Sequence, residues 1–377
     1  MNVDKTKAGI TRNRFSQSRG FTLAEMMIGM SVMLIVIVAT LSLYSRSNKV
    51  AVDHNQLAEV QQDVRSGMYL IARDIRMAGV GLPVEFISYF VEGTDNEVQG
   101  QGGGAEVLSD RLRLMGSLDD PLDMRIANYQ GSSVVLTTED YGFEMNPYPD
   151  SYYANKFVLI MPNPASGCIA AQVRVITHVT HSSGGTNERL NFSPGLAPGV
   201  DPPGGLSGTC SSSNDYDGGY VSFINVKDYW LDVTGNYPGL AAGVDGYIGN
   251  GNSGILYMTN NGMHIPMAQN IENLQFEYNG DINNDQLLDG FVPWQSTWTL
   301  DEISRIRQVR ILLLGRTERE FLTIGTTSLP PQANPYRRPA LSNNPVAGTD
   351  DRHKRFLLES ISSIRNMSFN LYNLGTR

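Results

Sequence analysis

The chain has 377 residues, 41% of them hydrophobic and 18% charged, with a formal net charge of −9. That is enough apolar material for a core outside any membrane, in two or three domains or in one large domain with an anchor. Lys5, Lys7, Arg12, Arg14 and Arg19 against Asp4 give residues 1–20 a charge of +4 and leave −13 on the remainder. An acidic remainder disfavours a general nucleic-acid partner, because phosphate binding needs clustered basic charge.

The first predicted element follows the basic leader. From Met26 to Tyr44 no charged residue occurs across 19 positions. A helix there would span about 28 Å, close to the ~30 Å hydrocarbon core of a bilayer. Basic residues before the span and fewer after it orient the leader to the cytoplasm. A secretory signal would place its apolar stretch before an A-x-A cut, and no A-x-A follows this one. Glu25 stands at the mouth of the span, where a lone carboxylate costs on the order of 3 kcal/mol. A cation meeting it would remove that penalty.

Val50, Leu57, Val60, Val64, Met68, Ile71, Ile75 and Ala78 recur at helical spacing, with Asp53, Gln61, Asp63 and Arg73 on the other faces. This is one apolar stripe on an amphipathic helix, ended by Gly79, Gly81 and Pro83. With no Pro or Gly between 30 and 66, a single helix from about 21 to 78 is expected. Its second half should pack on a globular head, because the stripe lacks the flanking charges of a coiled coil.

The head reads as short strands between turn-rich loops. Strands are predicted at 112–116, 133–138, 156–161, 171–179, 255–259, 272–278, 309–314 and 366–372, where β-branched and aromatic residues dominate. Long connections are expected at 98–106, 181–220, 236–254 and 325–350. Cys168 and Cys210 are the two cysteines. In an exported domain they read as one disulfide, worth about 4 kcal/mol in the chain-entropy account, against two separate thiols.

One loop has the composition of a metal site. DINNDQLLDG, 281–290, spaces Asp281, Asn283, Asp285 and Asp289 at loop positions 1, 3, 5 and 9, with the Leu287 carbonyl at 7. Ca²⁺ takes six to eight such oxygens. Gln286 stands where an EF-hand loop has Gly and Val292 where it has Glu, so Asp301 or Glu302 would have to help. A solvated acidic turn is the alternative. GNGNSG, 249–254, fits a dinucleotide fingerprint but leads into a strand, with no helix to hold a phosphate. His54, His178, His181, His264 and His353 are scattered, and no catalytic motif is found, so no enzyme is expected.

RGFTLAEMMIGM, 19–30, resembles the class III leader of type IV prepilins and type II secretion pseudopilins. The resemblance implies a peptidase cut after Gly20 and N-methylation of the new terminal Phe21. It also implies pairing of Glu25 with the freed amine of a neighbouring subunit. LIARDIRMAG (70–79), NIENLQFEYNGD (270–281) and VRILLLGRT (309–317) look like segments of PilW-type minor pilins. Major pilins usually carry Pro where this chain has Ser42, which counts against a repeating shaft subunit. A head this bulky fits best at a filament end.

The implied fold is α+β, a long helix packed on a β-rich head. The divisions are a leader 1–20, a membrane and assembly half 21–44, an amphipathic half 45–82 and a head 83–377. The implied role is assembly at or near the pilus tip. The partners would be other minor pilins, the major pilin, a tip adhesin, a prepilin peptidase and the inner-membrane platform with its ATPase. The chain would first sit in the inner membrane with its head periplasmic. A tip pseudopilin of a type II secretion system, or a signal-anchored surface adhesin or enzyme, are the alternatives.

Overall fold

A single helix, α1 (Leu23–Met77), opens the computed structural model. The described residues are 21–82, 90–98, 108–119, 123–130, 134–139, 141, 152–168, 172–181, 188–192, 213–232, 254–318, 338–344 and 353–368. The chain divides into two compact units, Met1–Asn55 and Gln56–Arg377, so the division falls inside α1. In the first unit every residue from Phe21 to Val50 is exposed. That suits the charge-free stretch Met26–Tyr44 to lipid, since a helix apolar on all sides needs an apolar surrounding.

In the second unit the predicted stripe is buried. Val60, Val64, Met68, Ile71, Ile75 and Ala78 are at most 5% exposed, and all belong to the main core. The stripe starts later than the spacing suggested: Val50 lies in the first unit at 53% exposure, and Leu57 is half-buried. The helix stops where Gly79 takes a φ of 77°. A side chain there would also strike the Phe90 ring, so only glycine fits.

Among the described residues thirteen strands follow: β1 (Val91–Val98), β2 (Leu108–Gly116), β3 (Asp123–Gln130), β4 (Val134–Thr137), β5 (Phe157–Met161), β6 (Gln172–His181), β7 (Glu188–Phe192), β8 (Tyr220–Asp232), β9 (Gly254–Asn260), β10 (Met263–Gly280), β11 (Val292–Pro293), β12 (Ile306–Arg316) and β13 (Arg355–Ser363). Two short helices, α2 (Leu300–Ser304) and α3 (Arg365–Ser368), flank β12 and β13. All strand pairings are antiparallel and form two connected bodies. One is a sheet in the order β1-β2-β8-β9-β10-β12-β13, with β11 beside β10. Helix α1 from Val60 onward shares the apolar core of this sheet. The other is a ring in which β8, β3, β4, β7, β6 and β5 pair in turn and β5 closes on β8. Closure removes free edges, and the ring encloses a second core that includes Met124, Ile160, Leu190 and Phe223.

Strand β8 is common to both bodies: residues 220–224 pair in the ring, and 225–232 pair in the sheet. It was not expected from the sequence, and neither were β1, β3, β11, β13 and β7, the last of which lies within the connection expected at 181–220. Lys227, Asp228 and Asp232 interrupt its apolar pattern, yet each is at most 6% exposed. The strand predicted at 366–372 is not present at its start, where α3 occupies Arg365–Ser368 and buries Met367. Residues 369–372, the leader, Cys210 and residues 249–253 lie outside the described residues.

Since Val60, Val64, Met68, Ile71 and Ile75 sit in the head core, a soluble fragment must contain them. Each contributes about 1.5–3 kcal/mol on burial, together on the scale of a domain's whole stability of roughly 5–15 kcal/mol. A fragment starting at Gln56 should unfold cooperatively in urea with native near-UV circular dichroism. One starting at Val84 should show neither.

Candidate functional site

The residues nearest the predicted cut form a helix cap. Thr22 precedes α1, and its backbone N–H and hydroxyl both donate to Glu25 Oε2 at 2.9 Å. The Glu25 N–H donates back to Thr22 Oγ1 at 3.3 Å. This is a capping box, and it gives the acid at the mouth of the span a partner within its own chain. The signal was present as T-x-x-E, residues 22–25, and the same pattern at Thr299–Glu302 caps α2. Phe21 is 85% exposed, and Gly20 lies outside the described residues.

A second polar centre was not foreseen. Asp74, inside the segment LIARDIRMAG, is 1% exposed. Its Oδ2 accepts from Tyr229 Oη at 2.7 Å and from Lys227 Nζ at 3.1 Å, and its Oδ1 accepts from Arg73 Nε at 2.8 Å. Lys227, 2% exposed on β8, also donates to Asp119 at 2.8 Å. Asn225 and Asn260 donate to the other Asp119 oxygen at 3.0 and 2.8 Å. Burial pushes the Asp74 carboxyl up. The bonds from Arg73, Tyr229 and Lys227 outweigh it and hold the group below the usual carboxylate range. Its stabilising effect is therefore complete above the ordinary carboxylate pKa and lost as pH falls through the lowered one.

The acidic loop is folded on itself. Asp281 Oδ1 and Asn283 Oδ1 accept the Asp285 N–H at 2.8 and 3.0 Å. Asp285 Oδ1 accepts the Leu287 N–H at 2.9 Å, and Asp289 Oδ2 accepts from Ile282 N at 2.7 Å. Gln286 takes a φ of 70°, so the turn forms without the glycine. The helpers named from sequence are engaged elsewhere: Glu302 closes the α2 cap, and Asp301 pairs with Arg305. Among the described residues no three His, Cys, Asp or Glu side chains gather as a metal-holding group. Five oxygen-bearing residues thus share one loop, with their oxygens turned largely to its own amides.

Other candidates do not converge. Cys168 is half-buried after a short turn at Pro164–Ser166. His178 is exposed, His353 bonds the Thr317 carbonyl at 2.7 Å, and His264 bonds Thr259 at 2.7 Å beside Trp230. A polar cavity lined by Glu92, Thr94, Arg111, Arg113 and Asp228 is internally paired, with Arg113 reaching Asp228 at 2.8 Å and Glu92 at 3.1 Å.

Residues 15–41 match the family described as the prokaryotic N-terminal methylation motif. No curated protein matches the chain. A solved type IV-like pilin from Thermus thermophilus is similar over 57% of this chain and 90% of its own, at 11% identity and a TM-score of 0.19. The methylation motif heads the helix that opens the chain, and that arrangement fits a membrane-anchored protein of pilin type.

Removing Asp74 would leave the buried Lys227 ammonium with the half-exposed Asp119 alone and Tyr229 without its acceptor, a loss of up to about 3–5 kcal/mol. Asp74→Ala should therefore lower the urea midpoint of the 56–377 fragment strongly. Asp74→Leu combined with Lys227→Met should recover much of the loss. Equal midpoints for wild type and Asp74→Ala would show that the pair carries no such load.

Proposed function

We propose that the mature chain is a minor pilin of the PilW type that primes or caps type IV pilus assembly at or near the tip. The observation that carries this reading is the methylation motif at residues 15–41, set directly on a charge-free helix. The length of chain after residue 83 and Ser42 in place of the shaft proline support an end position. The role is structural rather than enzymatic. The partners are other minor pilins, the major pilin, a tip adhesin, the prepilin peptidase and the inner-membrane platform.

The chemistry of assembly follows from the cap. Cleavage after Gly20 frees the amine of Phe21 and leaves Glu25 at the fifth position. In the single chain the carboxylate is held by the Thr22 N–H and hydroxyl. Within a low-dielectric bundle, a neighbour's ammonium is a stronger partner than a neutral donor, because charge-assisted bonds are roughly twice as strong. Thr22 keeps Glu25 oriented until that ammonium arrives. The chain waits in the inner membrane with its head periplasmic and reaches the cell surface when the pilus extends.

Two further proposals concern the head. Cys168 and Cys210 form its disulfide: Cys168 is disulfide-bonded, and the chain has two cysteines. Loop 281–290 holds Ca²⁺ weakly through Asp281, Asn283, Asp285, Leu287 and Asp289, in the roughly 10⁻⁴–10⁻³ M range of extracellular modules.

Mass spectrometry of wild type should find methyl-Phe21 at the terminus, and Gly20→Val should persist as uncut precursor in the membrane. Glu25→Ala should be cut normally but enter pili at least tenfold less, as expected for a lost charged bond of about 1.5–3 kcal/mol. Capture of the chain with secretion pseudopilins and never with pili would make it a type II secretion component. For the loop, melting of the 56–377 fragment should rise in millimolar Ca²⁺ over chelator, and Asp285→Ala should remove the loop's share. No effect of Asp285→Ala on the Ca²⁺ shift would leave the loop a polar turn.

A further inference from the structure

Strand β6 turns two polar side chains into the closed ring. In its pairing with β5, Arg174 stands opposite Val158 and Gln172 opposite Ile160. Residues directly opposite in an antiparallel pair share a face. Val158 and Ile160 belong to the ring's core and are fully buried. Arg174 and Gln172 therefore point inward, and both are at most 5% exposed. They lie at one end of the ring, where β5 stops and β6 begins.

The polar groups at this end gather on Gln172. Its Oε1 accepts from Tyr129 Oη at 3.2 Å and from Arg174 Nη2 at 2.7 Å. Its Nε2 donates to Tyr216 Oη at 2.7 Å, and the Tyr129 and Tyr216 rings lie 4.7 Å apart. None of these partners is an anion. Among the described residues Arg174 has no ion pair, its one hydrogen bond goes to a neutral amide, and its buried Nε has no partner. Lys227 and Arg316 are buried to the same degree, and each has a carboxylate, Asp74 at 3.1 Å and Glu272 at 3.9 Å. The buried acid of the ring wall is too far to serve Arg174. Glu188 sits beside His181, at the other end of β6 and about 23 Å along the strand. Asp217 is turned to the Tyr129 N–H at 2.7 Å.

A guanidinium cannot shed its proton to escape burial, as an amine can. Charges held in a protein interior are paired, because an unpaired one is strongly disfavoured there. We propose that Arg174, held in place by Gln172, is the binding group of a site for a small carboxylate anion at this end of the ring. Its Nε–H and remaining N–H groups form a planar fork that matches the two oxygens of a carboxylate. Gln172 has one more amide N–H to give. Both groups are nearly enclosed, so the occupant is a free small anion and not the acidic side chain of another protein. The mouths of closed β-structures are usual places for small ligands. The site belongs to the ring and depends neither on loop 281–290 nor on the pilus reading.

The test melts the full chain in detergent, in sodium acetate and in sodium chloride at equal pH and ionic strength. Near-UV circular dichroism checks that each variant is folded. At ten times its Kd, acetate should raise the wild-type melting temperature over chloride by about 3 °C more than it raises that of Arg174→Met. In chloride Arg174→Met should melt above wild type, because it removes a buried charge that has no partner. An arginine needed only for packing would give a variant that melts below wild type in both salts, and that result would overturn the site. Arg174→Gln stands in should the methionine variant fail to fold, and it too should lose the acetate effect. The ¹³C resonance of labelled acetate should broaden with wild type and not with either variant. A wild type that broadens no acetate, or equal acetate effects in wild type and a folded variant, would also overturn the site.

Discussion

An ammonium cannot stay in a protein interior without a counter-charge, and Lys227 is 2% exposed in the middle of β8. Its partner Asp74 comes from α1, so the helix and the strand can meet in one register only. A slip of one residue along β8 would turn Lys227 to the opposite face and bury it unpaired. Because β8 serves both the sheet and the closed ring, that one contact places the helix against a strand to which both bodies are anchored. Tyr229 adds a short bond to the same carboxylate, while Asn225 and Asn260 hold Asp119 against the lysine's other side. The pair fixes position more than it adds stability, since an apolar pair of similar volume can serve as well energetically.

Around that contact, apolar burial provides the bulk of the holding force. The stripe from Val60 to Ala78 shares its core with β2, β9, β10 and β12 through residues such as Leu114, Leu256, Leu274 and Leu313. Small residues permit the close approach: Gly67 lies against Leu256, and Gly315 against Val60 and Val64, where added Cβ atoms would collide. Helix α3 closes the end, where Asn366 donates to the Ala78 carbonyl at 2.7 Å and satisfies a group the helix terminus leaves open.

The N-terminal unit obeys different constraints. There every residue from Phe21 to Val50 is exposed, apolar side chains and Glu25 alike, and a lone carboxylate is costly wherever such a surface faces lipid. Thr22 solves it locally by offering two donors to one carboxylate oxygen. A carboxylate has further lone pairs, so the same group remains able to receive a second partner. The cap therefore leaves room for the intersubunit pairing proposed for Glu25.

The N-terminal features were legible because they are local. A charge-free run of 19 residues, a stripe at helical spacing and a Gly stop each depend on neighbours within a few turns, and α1 appears as Leu23–Met77 against the expected 21–78; the T-x-x-E cap is as local but was not expected. Strands with clean apolar runs, such as 156–161 and 309–314, were equally readable and appear as β5 and β12. Strand β8 was not, because Lys227 and Asp228 read as solvated charges until Asp74, Arg111 and Arg113 are brought from distant elements to neutralise them. The same holds for Asp110, whose environment is made by a bulge in one strand and an amide in another. Sequence alone determined which stretch is long and apolar enough to cross a membrane and which helical face turns to the head. Which charges may be buried was decided only by the tertiary structure, because the partner that makes burial tolerable lies 153 residues away for Asp74 and Lys227, and no local pattern encodes so remote a meeting.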